Sequence, residues 1–375
     1  MTSPKNNKNK KQNYPHLKVE NNNKDLISRI WNEKILNNWS EFREFILIKE
    51  TREIINKDNL DLLSKSIQTN KEQIISLWKL GLPNWLRKAM WKTIIQDKCE
   101  ICENLYNNYV KLMKDELDLK FQNFHNTFNP RKSITSLLNE NTKATQNDII
   151  KHIDKIIKKF SVLNLIENNN TFKKDIYTII KAFTLHRPDI IYTNHIAYII
   201  TIFYLNSQSC YDAFYCFCNF IIPSYLFKFI IKDEMFIESF SDFFKTIFQE
   251  NLPKLKDLFK KYDIDVKFFF HKWIEYLFVK TFQYNIVLRI WDNFFLKGEI
   301  FVFEVALAIL AILENELLQK TKSEDIIDLL KVFPVKHTEH ELFDTIERIN
   351  ITHQYTEFFD SGDLGREKGE LLKDL

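Results

Sequence analysis

A phenol, a carboxamide and an imidazole stand almost side by side at Tyr192, Asn194 and His195, just downstream of Arg187 and Asp189, which flank Pro188. Polar groups at the mouth of a rigid element are well placed to work on a partner or substrate. His195 has the chemistry of an acid or base, although a satisfied core or interfacial histidine is the plainer reading. The other candidate is Cys99-x-x-Cys102. No second CxxC or spaced pair of histidines completes a tetrahedral zinc set with that pair, and a metal or redox role is the weaker reading. Buried or half-buried free thiols in a reducing compartment are the expectation.

The elements that must carry the polar group follow from Pro188. Its ring fixes φ and disfavours the helical region for Arg187, so a helix is expected to stop before it and another to start near Asn194. The run from 190 to 211 has no Asp, Glu, Lys or Arg, which by length alone would cross a bilayer. Asn194, His195, Asn206 and Gln208 favour a core helix instead. Apolar residues at 149, 150, 153, 156, 157 and 160 lie on one helical face, with Lys151, Asp154, Lys155 and Lys158 on the other. Phe172, Ile176, Ile179, Ile180 and Phe183 repeat the pattern. Residues 301–318 are apolar on nearly all sides and read as a central helix.

The chain has 375 residues, a net charge of +3 and only five Gly. No phosphate loop or dinucleotide fingerprint can be written, and the small charge argues against a nucleic-acid face. Asn-Gly and Asp-Gly hairpin signals are missing, which disfavours an all-β chain. Residues 1–27 are Asn- and Lys-rich with little apolar content and read as a disordered tail. Residues 28–76 read as a helical lead-in containing Ile30, Trp31, Ile35, Leu36 and Trp39, 77–340 as the main domain, and 341–375 as a last helix with a charged tail. Cytoplasmic localisation is expected.

Four segments, in order, carry a resemblance to the TBC domain of Rab GTPase-activating proteins. Leu80-Gly-Leu-Pro-Asn-Trp-Leu-Arg-Lys-Ala-Met-Trp91 is similar to the family's Gly-Ile-Pro, Leu-Arg and Trp motif, with Gly81, Pro83, Leu86, Arg87 and Trp91 at matching positions. Arg187 to Asn194 is similar to its Pro-x-x-Gly-Tyr-x-Gln segment. Trp273 to Phe278 looks like a Trp followed by a short apolar helix. Arg289-Ile-Trp-Asp292 resembles its Arg-x-Trp-Asp motif, the most specific of the four; Arg289, Trp291 and Asp292 match, as does Trp273 in the third segment. The resemblance implies an all-α, multi-helix domain in two helical subdomains. It also implies a Rab-family partner in vesicle trafficking, contacted through Arg187, Asp189 and Tyr192, with membrane attachment only through that partner. No cofactor of its own is implied, since GTP and Mg would sit on the GTPase.

The family supplies an Arg and a Gln in trans to the partner's GTP, and such an Arg accelerates hydrolysis by about 10³ to 10⁵. This chain departs at both places. The Arg position falls on Lys155, with His152 in place of an Asp, if Ile149 anchors the motif, or on Ile157 if Asp154 does. Lys keeps the charge but loses the bidentate fork. The Gln position is Asn194, one methylene short, and Ile191 replaces a Gly, which is expected to redirect the loop. Trp78, Trp91, Trp273 and Trp291 are expected in the core, and Arg87, and Arg289 with Asp292, in internal ion pairs or caps. The expected function is a Rab regulator with impaired or atypical activation; the alternative is an inactive Rab-binding scaffold.

Overall fold

In the computed structural model, residues 75–122, 146–160, 169–331, 333 and 337–354 are described, and every regular element among them is a helix. The expected tail and the lead-in helix lie outside these residues. A helical turn at 75–79 ends at Gly81, whose N–H donates to the Trp78 carbonyl at 2.8 Å and whose φ of 101° suits glycine. Pro83 then stands immediately ahead of α1 (Asn84–Ile95).

Helices α2 (Glu103–Gln122), α3 (Gln146–Lys159), α4 (Asn169–His186), α5 (Asn194–Leu205) and α6 (Cys210–Ile221) pack with α1 as one group. A second group holds α8 (Glu234–Asn251), α9 (Pro253–Lys261), α10 (Lys267–Ile274), α12 (Ile300–Leu318), α13 (Ser323–Lys331) and α14 (Glu339–Glu347). Between the groups, α7 (Tyr225–Ile231) touches α6 and α8, while α11 (Tyr284–Lys297) packs on both α1 and α12. One continuous apolar core runs through both.

The periodic faces read from the sequence are the buried faces. Ile149, Ile150, Ile153, Ile156, Ile157 and Phe160 point inward from α3, and Lys151, Lys155 and Lys158 are exposed. α4 stops at His186, ahead of Pro188, and α5 begins at Asn194. Central α12 is buried all along its first half, including Glu304, which pairs with Lys297 at 2.7 Å; burial raises its carboxyl pKa. No single helix among the described residues is long and apolar enough to cross a membrane. All five cysteines are unpaired, and Cys102 is exposed, contrary to expectation.

Two expectations are corrected. Trp273 does not open a helix but closes one: α10 ends at Ile274, and a chain of turns follows. The reason is that Leu277 and Phe278 have φ of 42° and 62°, which no right-handed helix accommodates. Nor does Arg289 pair with Asp292. Arg289 turns outward to Glu339 at 3.2 Å and to the Lys79 carbonyl at 3.0 Å, and lies over Phe343. Asp292 turns inward.

Candidate functional site

The frame of the site is a knot around Asp292, which is 0 % exposed. Its carboxylate accepts from the Leu82 N–H at 2.8 Å, from Arg87 Nε and Nη2 at 3.0 and 2.8 Å, and from Trp91 Nε1 at 2.9 Å. Its carbonyl accepts from Trp78 Nε1 at 2.7 Å. A buried carboxylate is tolerable only when its lone pairs are filled in this way. The knot pins the Gly81–Pro83 bend and α1 to α11. One residue before Asp292, Trp291 Nε1 donates to the Leu277 carbonyl at 3.1 Å. The Arg-x-Trp-Asp motif therefore anchors both the bend and the segment after α10.

That segment meets α3 and the start of α5. The Tyr276 hydroxyl donates to Asn194 Oδ1 in a short hydrogen bond. Lys159, at the end of α3, donates to the Lys280 carbonyl at 2.6 Å. Tyr192, only 5 % exposed, places its hydroxyl 3.3 Å from His152 Nδ1, with the two rings stacked. His195 is buried, its Nε2 2.8 Å from Thr193 Oγ1 and its ring edge-on to Tyr276. Burial, with the Lys280 charge adding to it, holds His195 down at about 3, so it is a neutral imidazole. This fits the satisfied-core reading of His195.

Each remaining sequence candidate has a definite place. Lys155 is exposed on the outer face of α3, while Ile157 is packed into the core at 7 % exposure and can reach no partner. Asp154 pairs with Lys173 at 2.7 Å. Arg187 and Asp189 form a two-pronged pair at 2.8 and 2.6 Å across the Pro188 turn, with the guanidinium also over Phe227. The hydrogen bond to Asp189 raises the Arg187 pKa, and Arg187 lowers that of Asp189. Ile191 is 48 % exposed and is not among the residues with left-handed φ, so the backbone there makes no demand for glycine. The expected redirection of the loop thus has no strained backbone behind it.

Sequence reasoning missed Tyr198, Tyr276 and Lys280. The Lys280 ammonium lies 3.5 Å from the ring centroid of Tyr276 and 4.9 Å from that of Tyr198. Residues 275–281 have no helical or strand period, and only the folded chain brings them to Asn194. Among the described residues no three His, Cys, Asp or Glu side chains gather as a metal site. A cavity of about 560 Å³ lined in part by Lys92, Ser207 and Asp212 lies at the far end of α5 from Asn194.

An all-helical frame in two groups, with a polar loop-to-helix start held by the segment after α10, defines an all-α multi-helix domain. The Rab-GTPase-TBC domain model matches residues 84–318, and the chain belongs to that family. It is 27% identical over 336 residues to TBC1 domain family member 12 of Xenopus tropicalis, covering 88% of this chain and 44% of that protein. Drainin of Dictyostelium discoideum is 26% identical over 298 residues, covering 72% of this chain and 67% of that protein. The chain thus spans less than half the length of the first of these relatives. Among solved structures, the Chlamydomonas flagellar RabGAP TBC domain superposes with a TM-score of 0.56 at 17% identity, covering 82% of this chain and 94% of that one. The Ypt/Rab-GAP domain of Gyp1p gives 0.52 at 14% identity, covering 77% and 93%.

Proposed function

We propose that this domain binds a GTP-loaded Rab-family GTPase and regulates its hydrolysis in trans in vesicle trafficking, with GTP and Mg carried by the GTPase. The observation that carries this reading is the position of Asn194, where the resemblance puts the family's Gln: it is half-exposed at the start of α5, beside exposed Ile191 and the Arg187–Asp189 pair. A carboxamide there is fit to orient an attacking water or a phosphate oxygen. Arg187 and Asp189 supply a partner-facing rim, and Tyr192 acts from beneath by fixing the loop on His152. Recruitment to cytoplasmic faces of endomembranes follows from the partner.

A second reading, binding without turnover, is favoured by two side chains. Lys155 lacks the guanidinium fork, and Asn194 is both short and already held by Tyr276. Multiple-turnover hydrolysis with a panel of Rabs, alongside binding to their GTP- and GDP-loaded forms, separates the two. Acceleration by any Rab establishes activation; GTP-dependent binding alone establishes the scaffold; binding to none removes both. In the scaffold case, K155R with N194Q is expected to raise hydrolysis by about a hundredfold or more, because the docking frame is intact and only reach and fork are restored.

A further inference from the structure

The chain has no arginine at 155 or 157, yet a second cation lies against Tyr276, the residue that holds Asn194, on an element that sequence reading did not connect with it. Lys280 is half-buried against the faces of Tyr276 and Tyr198, and Tyr276 holds Asn194. No carboxylate of a described residue forms an ion pair with Lys280, and no described oxygen accepts a hydrogen bond from its ammonium. The half-exposed ammonium therefore has ring faces on one side and an open side without an acceptor among the described residues, where an incoming anion could take its N–H donors.

The turn that presents it is strained. Leu277 and Phe278, both fully buried, occupy left-handed φ, where a non-glycine residue costs roughly 1–3 kcal/mol. The surroundings over-determine that conformation: the Phe278 N–H donates to the Trp273 carbonyl at 2.8 Å, the Val279 N–H to Tyr276 at 2.9 Å, and Trp291 holds the Leu277 carbonyl. Strain that a core maintains beside a polar cluster is a recurrent mark of working sites. Lys155 has no such fixation; it is exposed and carries no partner that would hold it still.

Resting on the reading above, we propose that Lys280 is the cation this domain sets against the nucleoside triphosphate bound to its partner GTPase. A positioned ammonium at the edge of a low-dielectric site, already in place before docking, favours the extra negative charge of a γ-phosphate over a diphosphate. The groups facing Lys280 are Lys155, Lys159 and His152 on α3, Tyr198 and His195 on α5, and Lys272, Glu275 and Tyr276 on its own segment. Burial and the neighbouring lysines outweigh the attraction of Glu275, and the ammonium is held down at about 8.

The test is equilibrium binding of the full chain to a panel of Rabs loaded with GDP or with a non-hydrolysable GTP analogue, measured from pH 7 to pH 9. Wild type is expected to prefer the triphosphate form of at least one Rab, and to lose that preference as Lys280 deprotonates. K280A is expected to lower affinity for the triphosphate form by about tenfold with little change for the GDP form, a loss of one charge-assisted contact. K280R should keep the preference and carry it to pH 9; K254A, on distant α9, should behave as wild type. If K280A retains the wild-type preference, Lys280 is excluded while the Rab reading stands. Equal loss of both nucleotide forms in K280A and K280R shows a structural role and also overturns the proposal. Should wild type bind no Rab in either form, the Rab reading itself fails.

Discussion

Arg289 and Asp292 share a helical face at a spacing of three, yet one points to solvent-side Glu339 and the other into the core. The difference in burial sets the size of the effect on removal. D292A strands the Arg87 guanidinium, the Leu82 N–H and the Trp91 indole together, so a loss of about 3–5 kcal/mol in urea unfolding is expected. R289A removes a partly exposed pair and one backbone contact, and is expected to lose about 1 kcal/mol. A D292A loss no larger than that of R289A would mean the knot is not what holds the bend. His195 provides a pH signature on the same scale. Its folded pKa of about 3 lies below the ordinary value of 6.5, so the unfolded chain binds more protons between those pH values. Stability from this group is therefore full above pH 6.5 and falls as pH drops toward 3, by about 2 kcal/mol between pH 7 and pH 5. Other groups titrate nearby: burial lowers His152 and His271 and raises Glu275. The comparison is thus between wild type and H195Q, whose stability should fall less over the same range by that amount.

At the scale of elements, apolar period and proline were enough to place the site-bearing helices. The face of α3, the stop before Pro188 and the all-round burial of α12 were legible because each rests on local spacing or on one stiff ring. Lys280 was not legible, because residues 275–281 owe their path to the Trp291 indole and to Trp273 carbonyl contacts rather than to any pattern of their own. The partner of Asp292 was misread for a related reason: Arg87 is about two hundred residues away in sequence (205) and reaches it only through packing of α1 on α11. The junction between α11 and α12 offers a clean test of local conformation. Gly298 takes φ 82° and ψ −158°, a region almost closed to side chains, while a Cβ built there would touch nothing within 4 Å. G298A is therefore expected to lose about 1–3 kcal/mol in thermal or urea unfolding through backbone strain alone. A neutral result would show that the break between the two helices relaxes without effort.

For the whole molecule, the net charge of +3 is a poor guide to how it meets a partner, because charge is distributed unevenly over the surface. The exposed side of α3 presents Lys151, Lys155 and Lys158, and Lys159, Lys272 and Lys280 gather near its end and the Asn194 turn. Among the described residues there, Asp148 pairs with Lys151 at 3.8 Å, Asp154 with Lys173 at 2.7 Å, and buried-side Glu275 has its pKa raised by burial. On the proposed reading, a GTPase approaching with an anionic nucleotide pocket would feel this local field over roughly a Debye length, about 10 Å at 0.1 M salt and about 3 Å at 1 M. Association with the GTP-loaded form is therefore expected to slow by about tenfold between 0.05 and 0.5 M salt in stopped-flow binding, with dissociation changing less. K155A should lower the association rate and flatten its salt dependence, since an exposed cation acts mainly during approach. N194A should instead quicken dissociation, because a carboxamide held by Tyr276 acts only once the surfaces are in register. Identical kinetic effects of the two substitutions would show that the start of α5 and the outer face of α3 do not divide the work of steering and holding.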